Sequence, residues 1–553
     1  MHSITNDAGP ALTHPANKPN QKFFFNVVSH MTTPIEPTPS KKRRWWIPLL
    51  TLGLPFVIMG LRSLFVKFDL FPQSWFILQS AAPLTLLLGL VVCAVWFFAL
   101  ARFSAALRVG GLAIITVAFG SAVYCIKRVD FDGSMKPSFI YRWEKTPEEL
   151  FAEHRAQAGD AVPIADVTLA ATDSPGFRGV QGDGRMAGIA LADSWEAKQP
   201  VVKWVHPLMD GLAGIAVAGN SFITIEQRDA NETIVCYDRE TGLQRWVTGY
   251  PAKFSQTPNM GGGGPRTTPI VHEGRIYTLG GAGDLVCLDG SKGTLIWQTN
   301  ILSDNDAKNV EWGLSGSPLI VGNVIVAMAG TAGAVGYDLA TGKRVWSGTP
   351  HTSAYASPFL ATLAGKEWIV VFDSVGVSGL ESTTGKPLWT HAWKTPMNMN
   401  SAQPIVLGPD SFFVSSELSN GGAAVQLQKT ETGWTTKELW KSRAIAARFA
   451  SPIFTEGFIY GLSGGYLVCV DAATGKEKWK EGEYGNGQIL LANGKLVIVT
   501  EKGNVALVAC DSNEHRELGN IEVLKSRTWN MPALAGKSLF MRSHREMARV
   551  DLP

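Results

Sequence analysis

The sequence has few cysteines and almost no net charge, and both properties exclude broad classes of protein. Its 553 residues include only six Cys, with no C-x-x-C motif and no adjacent pair, so we expect neither a disulfide scaffold nor a haem attachment site. The ten His show no paired metal-ligand spacing. The formal net charge is +3 and only 18% of residues are charged. A dedicated nucleic-acid-binding protein would carry a basic excess, so we expect no nucleic-acid partner.

The first quarter of the chain contains long apolar stretches instead. Trp45–Leu61, Trp75–Ala101 and Val109–Ile126 contain no charged residue. A membrane-spanning helix needs about 20 mostly apolar residues. The pattern therefore predicts a disordered tail over residues 1–40 and a three-helix transmembrane anchor over residues 41–128. The alternative for each stretch is a helix buried in a protein core.

Basic residues predict the orientation of this anchor. Residues 41–44 read Lys-Lys-Arg-Arg, and Arg102 and Arg108 lie in the short loop between the second and third stretches. Positively charged loops remain in the cytoplasm, so three spans place the N-terminus in the cytoplasm and the rest of the chain outside it. In a bacterium this means the inner membrane and the periplasm, whereas an even number of spans would reverse the topology. Translation could start at Met1 or at Met31.

Residues 129–199 are interpreted as an extracytoplasmic spacer with two local features. Thr146-Pro147-Glu148-Glu149 has the N-cap, first-turn Pro and capping-box Glu of a short helix. Asp173–Gly184 is rich in Gly and predicts a structured loop, in which we expect Phe177 to pack on the domain that follows.

A single phrase recurs beyond residue 200. It consists of an acidic residue, a Gly four residues later and a Trp four residues after that, and its copies are Asp238-Gly242-Trp246, Asp289-Gly293-Trp297, Asp338-Gly342-Trp346, Glu381-Gly385-Trp389 and Asp471-Gly475-Trp479. An acidic side chain can accept backbone hydrogen bonds in a turn, and Gly supplies positive φ. The Trp then falls in the returning strand and fills the space between neighbouring sheets. We interpret these residues as structural.

The repeats predict a closed ring of small sheets. Two apolar strands precede each phrase, so each unit contains four strands in about 40–50 residues, the period of a propeller blade. Seven copies, one of them with Leu518 near the Trp position, precede Trp529, where an eighth copy begins that holds only three strands. Val201–His206 carries a Trp without a blade before it, and we expect it to pair with the last blade and remove the exposed edges. We predict an all-β, eight-bladed propeller over residues 200–553, with seven blades as the fallback.

The D-x-x-T-G-x-x-x-W phrase on four-stranded units resembles the pyrroloquinoline-quinone-like (PQQ-like) propeller repeat. Phe177-Arg178-Gly179 is similar to a segment that precedes such repeats in many bacterial proteins. One branch of the family, resembling BamB, implies a non-catalytic scaffold in cell-envelope protein assembly. The other implies a membrane-bound PQQ-dependent dehydrogenase that passes electrons to membrane quinone, with PQQ and calcium as cofactors. Since this sequence lacks the vicinal Cys pair typical of the alcohol dehydrogenases, we expect the scaffold and no cofactor, with the dehydrogenase as the alternative.

We expect any site on the propeller face that carries the long loops. The blade-to-blade loops Gly249–Pro265, Asn300–Ser315 and His391–Asn400 are long and irregular, and function often lies on such loops over a rigid scaffold. Residues before the innermost strands, or at hairpins, should ring the channel there: Arg266, Trp312, Tyr355, Asn400, Arg448 and Trp529, joined by Glu226 and Asp373. The Arg side chains would suit an anionic ligand such as a carboxylated quinone, and the Trp rings could stack on it. The alternative is a water-filled mouth; we expect a protein or peptide partner on this face.

Overall fold

The computed structural model describes residues 46–67, 74–100, 103–131, 137–157, 164–254, 262–348, 351–417 and 421–553. The predicted tail and the basic residues 41–44 lie outside the described residues. The N-terminal part is helical, with α1 (Trp46–Lys67), α2 (Ser74–Val95) continued by a π-helical turn (Trp96–Leu100), and α3 (Ala105–Cys125). Ser104 caps α3, because its Oγ accepts a hydrogen bond from the Leu107 N–H at 3.3 Å.

Among the described residues, α3 alone is long and apolar enough to cross a membrane. None of its residues is buried. The apolar parts of α1 and α2 are shorter, Trp46–Leu61 and Leu84–Phe98, and these two helices pack against each other. The prediction of three spans is therefore not confirmed, and in the described part of the chain only the third predicted stretch is apolar over a spanning length.

A hairpin and a short helix follow α3. Strands β1 (Ile126–Phe131) and β2 (Pro137–Tyr141) pair antiparallel, and α4 spans Pro147–Gln157. The predicted capping box is confirmed: Thr146 N–H donates to Glu149 Oε2 at 2.7 Å, and Glu149 N–H donates to Thr146 Oγ1 at 3.3 Å.

The rest of the chain forms a ring of four-stranded antiparallel sheets, preceded by β3 (Val201–Pro207). Blades 1 and 2 comprise β4 (Ala216–Ala218), β5 (Ser221–Arg228), β6 (Asn231–Asp238) and β7 (Gln244–Pro251), then β8 (Ile270–His272), β9 (Arg275–Leu279), β10 (Asp284–Asp289) and β11 (Leu295–Asn300). Blades 3 and 4 comprise β12 (Leu319–Val321), β13 (Val324–Met328), β14 (Ala334–Asp338) and β15 (Arg344–Ser347), then β16 (Phe359–Leu363), β17 (Lys366–Phe372), β18 (Gly376–Leu380) and β19 (Pro387–Ala392).

The second half of the ring repeats this plan. Blades 5 and 6 comprise β20 (Ile405–Gly408), β21 (Ser411–Ser416), β22 (Gly421–Thr430) and β23 (Gly433–Ser442), then β24 (Ile453–Thr455), β25 (Phe458–Ser463), β26 (Tyr466–Asp471) and β27 (Glu477–Glu483). Blade 7 comprises β28 (Gln488–Ala492), β29 (Lys495–Val499), β30 (Asn504–Ala509) and β31 (Glu517–Glu522), and blade 8 begins with β32 (Ala533–Ala535), β33 (Ser538–Arg542) and β34 (Glu546–Asp551).

The strand β3 completes blade 8 and closes the ring. The strand order in this sheet is β3-β34-β33-β32, with Val201 opposite Asp551 and His206 opposite Met547. The predicted closure and the count of eight blades are therefore confirmed. An open ring would end in strand edges whose unpaired backbone groups could bind other chains. Closure removes these two ends.

Tryptophan side chains join most blades to the next. Five indole Nε1 atoms donate to a backbone carbonyl in the turn of the following blade at 2.9–3.2 Å, in the pairs Trp204–Glu240, Trp246–Gly290, Trp297–Leu339, Trp440–Ala472 and Trp479–Asp511. In the first four of these pairs the ring also covers the Gly of that turn. At Gly293, φ is 69° and a Cβ atom would overlap the Trp246 ring. Both the positive φ and the lack of space therefore exclude a side chain at this position.

In the other blades this Trp is the wedge between neighbouring sheets, whereas blade 7 has Leu518 at the equivalent position of its sequence. Trp195 from the spacer takes that place and is completely buried among residues of blades 7 and 8. The backbone N–H of Trp195 donates to the Leu518 carbonyl at 2.8 Å, and a Cβ atom on Gly519 would come within 2.6 Å of the Trp195 side chain. The spacer thus supplies the wedge that the seventh repeat lacks.

A segment of the spacer also crosses one end of the central channel. We call the propeller side with the short turns the turn face, the opposite side the loop face, and residues 172–186 the plug segment. Its hydrogen bonds reach blades 8, 1, 2, 6 and 7 through the pairs Gly536–Thr172, Val217–Ser174, Val271–Pro175, Arg178–Pro452 and Leu491–Gly184, at 2.7–3.0 Å. Since blades 2 and 6 lie opposite each other in an eight-membered ring, the segment lies across the channel near the turn face. As expected, Phe177 packs on the propeller, against the core of blades 7 and 8.

We expect the substitution Trp195→Ala to destabilise the propeller by about 3–5 kcal/mol, the usual cost of removing a buried Trp. Chemical denaturation of the purified protein measures this cost. Glu196→Ala is the control, because Glu196 is exposed and its loss should change stability by less than about 0.5 kcal/mol. Equal midpoints for the two variants would show that Trp195 does not act as a wedge.

Candidate functional site

A belt of hydroxyl groups lies beneath the loop face, at the start of the innermost strands. Ser317 Oγ accepts a hydrogen bond from the Thr268 N–H at 2.8 Å, and Ser357 Oγ accepts one from the Ser317 N–H at 2.9 Å. Ser451 Oγ likewise accepts from the Gln403 N–H at 2.9 Å. These buried bonds join blades 2 to 3, 3 to 4, and 5 to 6, so the residues above them are held on a rigid frame. Sequence analysis missed this role, although Ser-Pro or Thr-Pro recurs at these positions.

Three of the predicted site residues come together above blades 2 to 4. Arg266 Nε donates to the Trp312 carbonyl and Nη2 donates to the Gly262 carbonyl, both at 2.7 Å. The rings of Trp312 and Tyr355 meet edge to face, with centroids 5.3 Å apart. Burial lowers the pKa of Arg266 to about 10 and raises the pKa of Tyr355 to about 12. The guanidinium thus holds two loops together, and its Nη1 is buried without a hydrogen-bond partner in the described part of the chain.

Asn400 and Asp373 extend this group towards blade 5. The Asn400 carbonyl accepts a hydrogen bond from the Tyr355 N–H, and Asn400 Nδ2 donates to the Asp373 carbonyl, each at 2.9 Å. The Asp373 side chain is completely buried; its Oδ1 accepts from the Val375 N–H at 2.9 Å and its Oδ2 lies 3.5 Å from His351 Nδ1. Burial raises the pKa of Asp373, although the backbone hydrogen bonds and His351 oppose the shift.

Arg448 and Trp529 form a second group above blades 5 to 8. Arg448 Nε pairs with Glu417 Oε2 at 3.2 Å, and its guanidinium lies 5.0 Å from the Phe449 ring centroid. Phe449 contacts Trp529, with centroids 4.8 Å apart, and Trp529 Nε1 donates to Glu501 Oε1 at 3.0 Å. Burial raises the pKa of Glu417; Arg448 opposes this shift and Glu501 adds to it. Sequence analysis did not identify the two Glu residues, because they lie in hairpins of different blades.

Glu226 makes its contacts elsewhere. Its buried carboxylate accepts hydrogen bonds from Tyr237 Oη and, at 3.0 Å, from Arg228 Nε. The Arg228 guanidinium in turn lies 4.8 Å from the ring centroid of Phe151 in α4. None of the described hydrogen bonds of Glu226 reaches the other seven predicted residues. Glu226 therefore belongs to the packing between blade 1 and α4.

A bound carboxylated quinone with a metal ion would need ligands for the metal and an Arg side chain free to pair with a carboxylate. Within the described ranges no group of three or more His, Cys, Asp and Glu side chains is arranged to hold a metal ion. Arg266 donates to two loop carbonyls and Arg448 is paired with Glu417, so neither guanidinium offers an open fork to a carboxylate. The donor set therefore fits a calcium-bound carboxylated quinone poorly.

Comparisons with known proteins agree with this architecture. Residues 230–481 match the model of the family described as outer membrane protein assembly factor BamB. The BamB protein of Burkholderia pseudomallei (strain K96243) is 23% identical over 298 residues, which cover 52% of this chain and 74% of that protein. Tetrathionate hydrolase of Acidithiobacillus ferrooxidans is 22% identical over 231 residues, which cover 38% of this chain and 44% of that protein.

A solved structure gives the same fold. The quinohemoprotein alcohol dehydrogenase ADHIIG from Pseudomonas putida HK5 superimposes with a TM-score of 0.50 at 12% identity, covering 69% of this chain and 80% of that one. At this identity the likeness shows the fold alone. Together with the eight four-stranded blades, the matches support a PQQ-like β-propeller that is similar both to BamB and to quinoprotein dehydrogenases.

The buried carboxyl of Asp373 predicts a pH dependence of stability. Since its pKa is raised from 3.8 in the folded state, the folded protein binds this proton more tightly than the unfolded chain. Stability should then fall as pH rises from about 4 through the raised pKa. Asp373→Asn keeps an oxygen for the backbone N–H groups and cannot ionise, so we expect the variant to lose less stability than the wild type over this interval. Denaturation midpoints between about pH 4 and 7 test this; parallel profiles would contradict it.

Proposed function

We propose that this protein is a membrane-anchored propeller that acts outside the cytoplasm as a non-catalytic binding or scaffold module. Its partner would be a protein or peptide bound on the loop face. The observation that carries the proposal is that polar side chains at the predicted site form hydrogen bonds within the protein. Arg266, Asn400 and Trp529 donate to groups of the protein itself, so they fix loop shapes, as a recognition surface requires.

Two further observations support the choice of face. The plug segment lies across the channel near the turn face, so a partner approaching from that side meets a covered end. The loop Asn300–Ser315 exposes charged side chains such as Lys308 on the opposite side. Similarity to an outer membrane protein assembly factor favours a role in cell-envelope protein assembly within this proposal.

The anchor and the location belong to the same proposal. The helix α3 is apolar and has no buried residue, as a helix in contact with lipid requires. Arg108 in its first turn and the preceding Arg102 favour a cytoplasmic start. This topology would put the hairpin, α4 and the propeller in the periplasm, with the protein held in the inner membrane of a bacterium.

A photo-crosslinking amino acid tests the binding face in living cells. Lys308 on the loop face and Lys343 on the turn face are both exposed and belong to the same blade region. We expect the probe at position 308 to give discrete crosslinked species in membrane fractions and the probe at position 343 to give none. Equal crosslinking from both positions, or crosslinking from position 343 alone, would contradict a partner on the loop face.

One observation favours the dehydrogenase as a second candidate. The buried Arg266 Nη1 has no hydrogen-bond partner among the described residues, and an anionic ligand could supply one. PQQ with calcium would be that ligand, and the quinone would supply the redox chemistry.

Titration of the purified protein with PQQ and Ca²⁺ separates the two candidates. We expect no saturable spectral change, because both candidate cations already have protein partners. A stoichiometric change in quinone absorbance that requires Ca²⁺, and that Arg266→Gln weakens, would instead support the dehydrogenase and overturn the non-catalytic proposal.

A further inference from the structure

An exposed group of aromatic and aliphatic side chains lies where α3 ends. Tyr124 in the last turn of α3, Val129 and Phe139 in the hairpin, and Trp143 just beyond it have exposed fractions of 70, 40, 45 and 70%. Tyr141 stacks on Trp143, with centroids 5.0 Å apart and planes inclined by 3°. We call these five residues the aromatic patch. It is continuous with the exposed apolar surface of α3, because β1 begins directly after that helix.

Three basic side chains described near the aromatic patch are each paired or stacked. Lys127 pairs with Glu149 at 2.9 Å and Arg128 pairs with Glu148 at 3.0 Å. The Arg142 guanidinium lies over the Tyr124 ring, 4.7 Å from its centroid. These three described side chains therefore leave little unpaired positive charge to attract an anionic partner.

We propose that the aromatic patch sits in the lipid headgroup layer of the membrane that α3 enters. This inference rests on the anchoring in the proposed function and adds the surface that meets the lipid. Tyr and Trp are enriched at both membrane–water interfaces, since their apolar rings suit the acyl boundary and their polar atoms suit water. The attraction comes from the aromatic rings, so zwitterionic phospholipid is a sufficient partner.

The contacts of α4 extend the inference to the orientation of the propeller. The two ion pairs hold the hairpin to α4, and α4 holds the rim where blade 8 meets blade 1. There Phe151 lies under Arg228, and His154 stacks on His206 of β3 with centroids 4.3 Å apart. The seam between blades 8 and 1 is then the part of the ring next to the membrane, and the seam between blades 4 and 5 lies on the far side.

Fluorescence quenching in vesicles tests both parts of the inference. The full-length protein is reconstituted in phosphatidylcholine vesicles that contain lipid with a nitroxide near the headgroup. The emission of Trp143 is obtained as the difference between the wild type and Trp143→Phe. Trp434→Phe is the matched control, because Trp434 is a half-buried Trp in β23 of blade 5.

We expect the nitroxide lipid to quench the Trp143 emission by about half, since ring and nitroxide share the interfacial layer, and to leave the Trp434 emission unchanged. Adding phosphatidylglycerol should not change the result. Retention of the protein in the vesicles after an alkaline carbonate wash is measured in parallel.

The outcomes distinguish the two proposals. Retention without quenching of Trp143 would overturn the interfacial patch and leave the anchor in place. Release by carbonate would overturn the anchor and the patch together. Quenching of Trp434 as strongly as Trp143 would overturn the orientation, and quenching that requires phosphatidylglycerol would overturn the aromatic basis of the contact.

Discussion

The contact between an indole ring and the glycine of the next turn is the constraint on which the whole ring depends. An indole in the outer strand covers the turn of the following blade and donates to its backbone, as Trp246 does at Gly290 and Gly293. The contact fixes the distance and angle between neighbouring sheets. The contact recurs at five of the eight joints, at Gly242, Gly293, Gly342, Gly385 and Gly475. At the joint after blade 7, which has no Trp of its own, the protein brings in Trp195.

Periodicity made the fold predictable, whereas the irregular parts were not. The spacing of Asp, Gly and Trp indicates blades. The lone strand around Trp204 indicates closure, because this strand lacks a sheet and the last blade lacks a fourth strand. Trp195 could not be recognised, since it lies outside the repeats and its role depends on Leu518 and Gly519, far away in sequence. The apolar stretches in the sequence likewise did not reveal how many of them form a helix that is apolar over a spanning length.

The positions of the candidate residues were predictable from the sequence, but their contacts were not. Residues before the innermost strands do meet at the loop face, as Arg266, Trp312 and Tyr355 show. Their partners were not predictable, because loop carbonyls and hairpin carboxylates such as Glu417 come from blades distant in sequence. These polar groups form their hydrogen bonds and ion pairs within the protein, and they thereby shape the surface above the hydroxyl belt.

The pairing of Val201 with Asp551 has a consequence for biogenesis. The first strand of the ring cannot pair with its neighbour until the residues of β34 have been synthesised. Contacts of such long sequence separation form slowly, and unpaired strands are prone to association in the meantime. The nascent domain would therefore remain an open arc, sensitive to proteolysis, until its last strand has been synthesised.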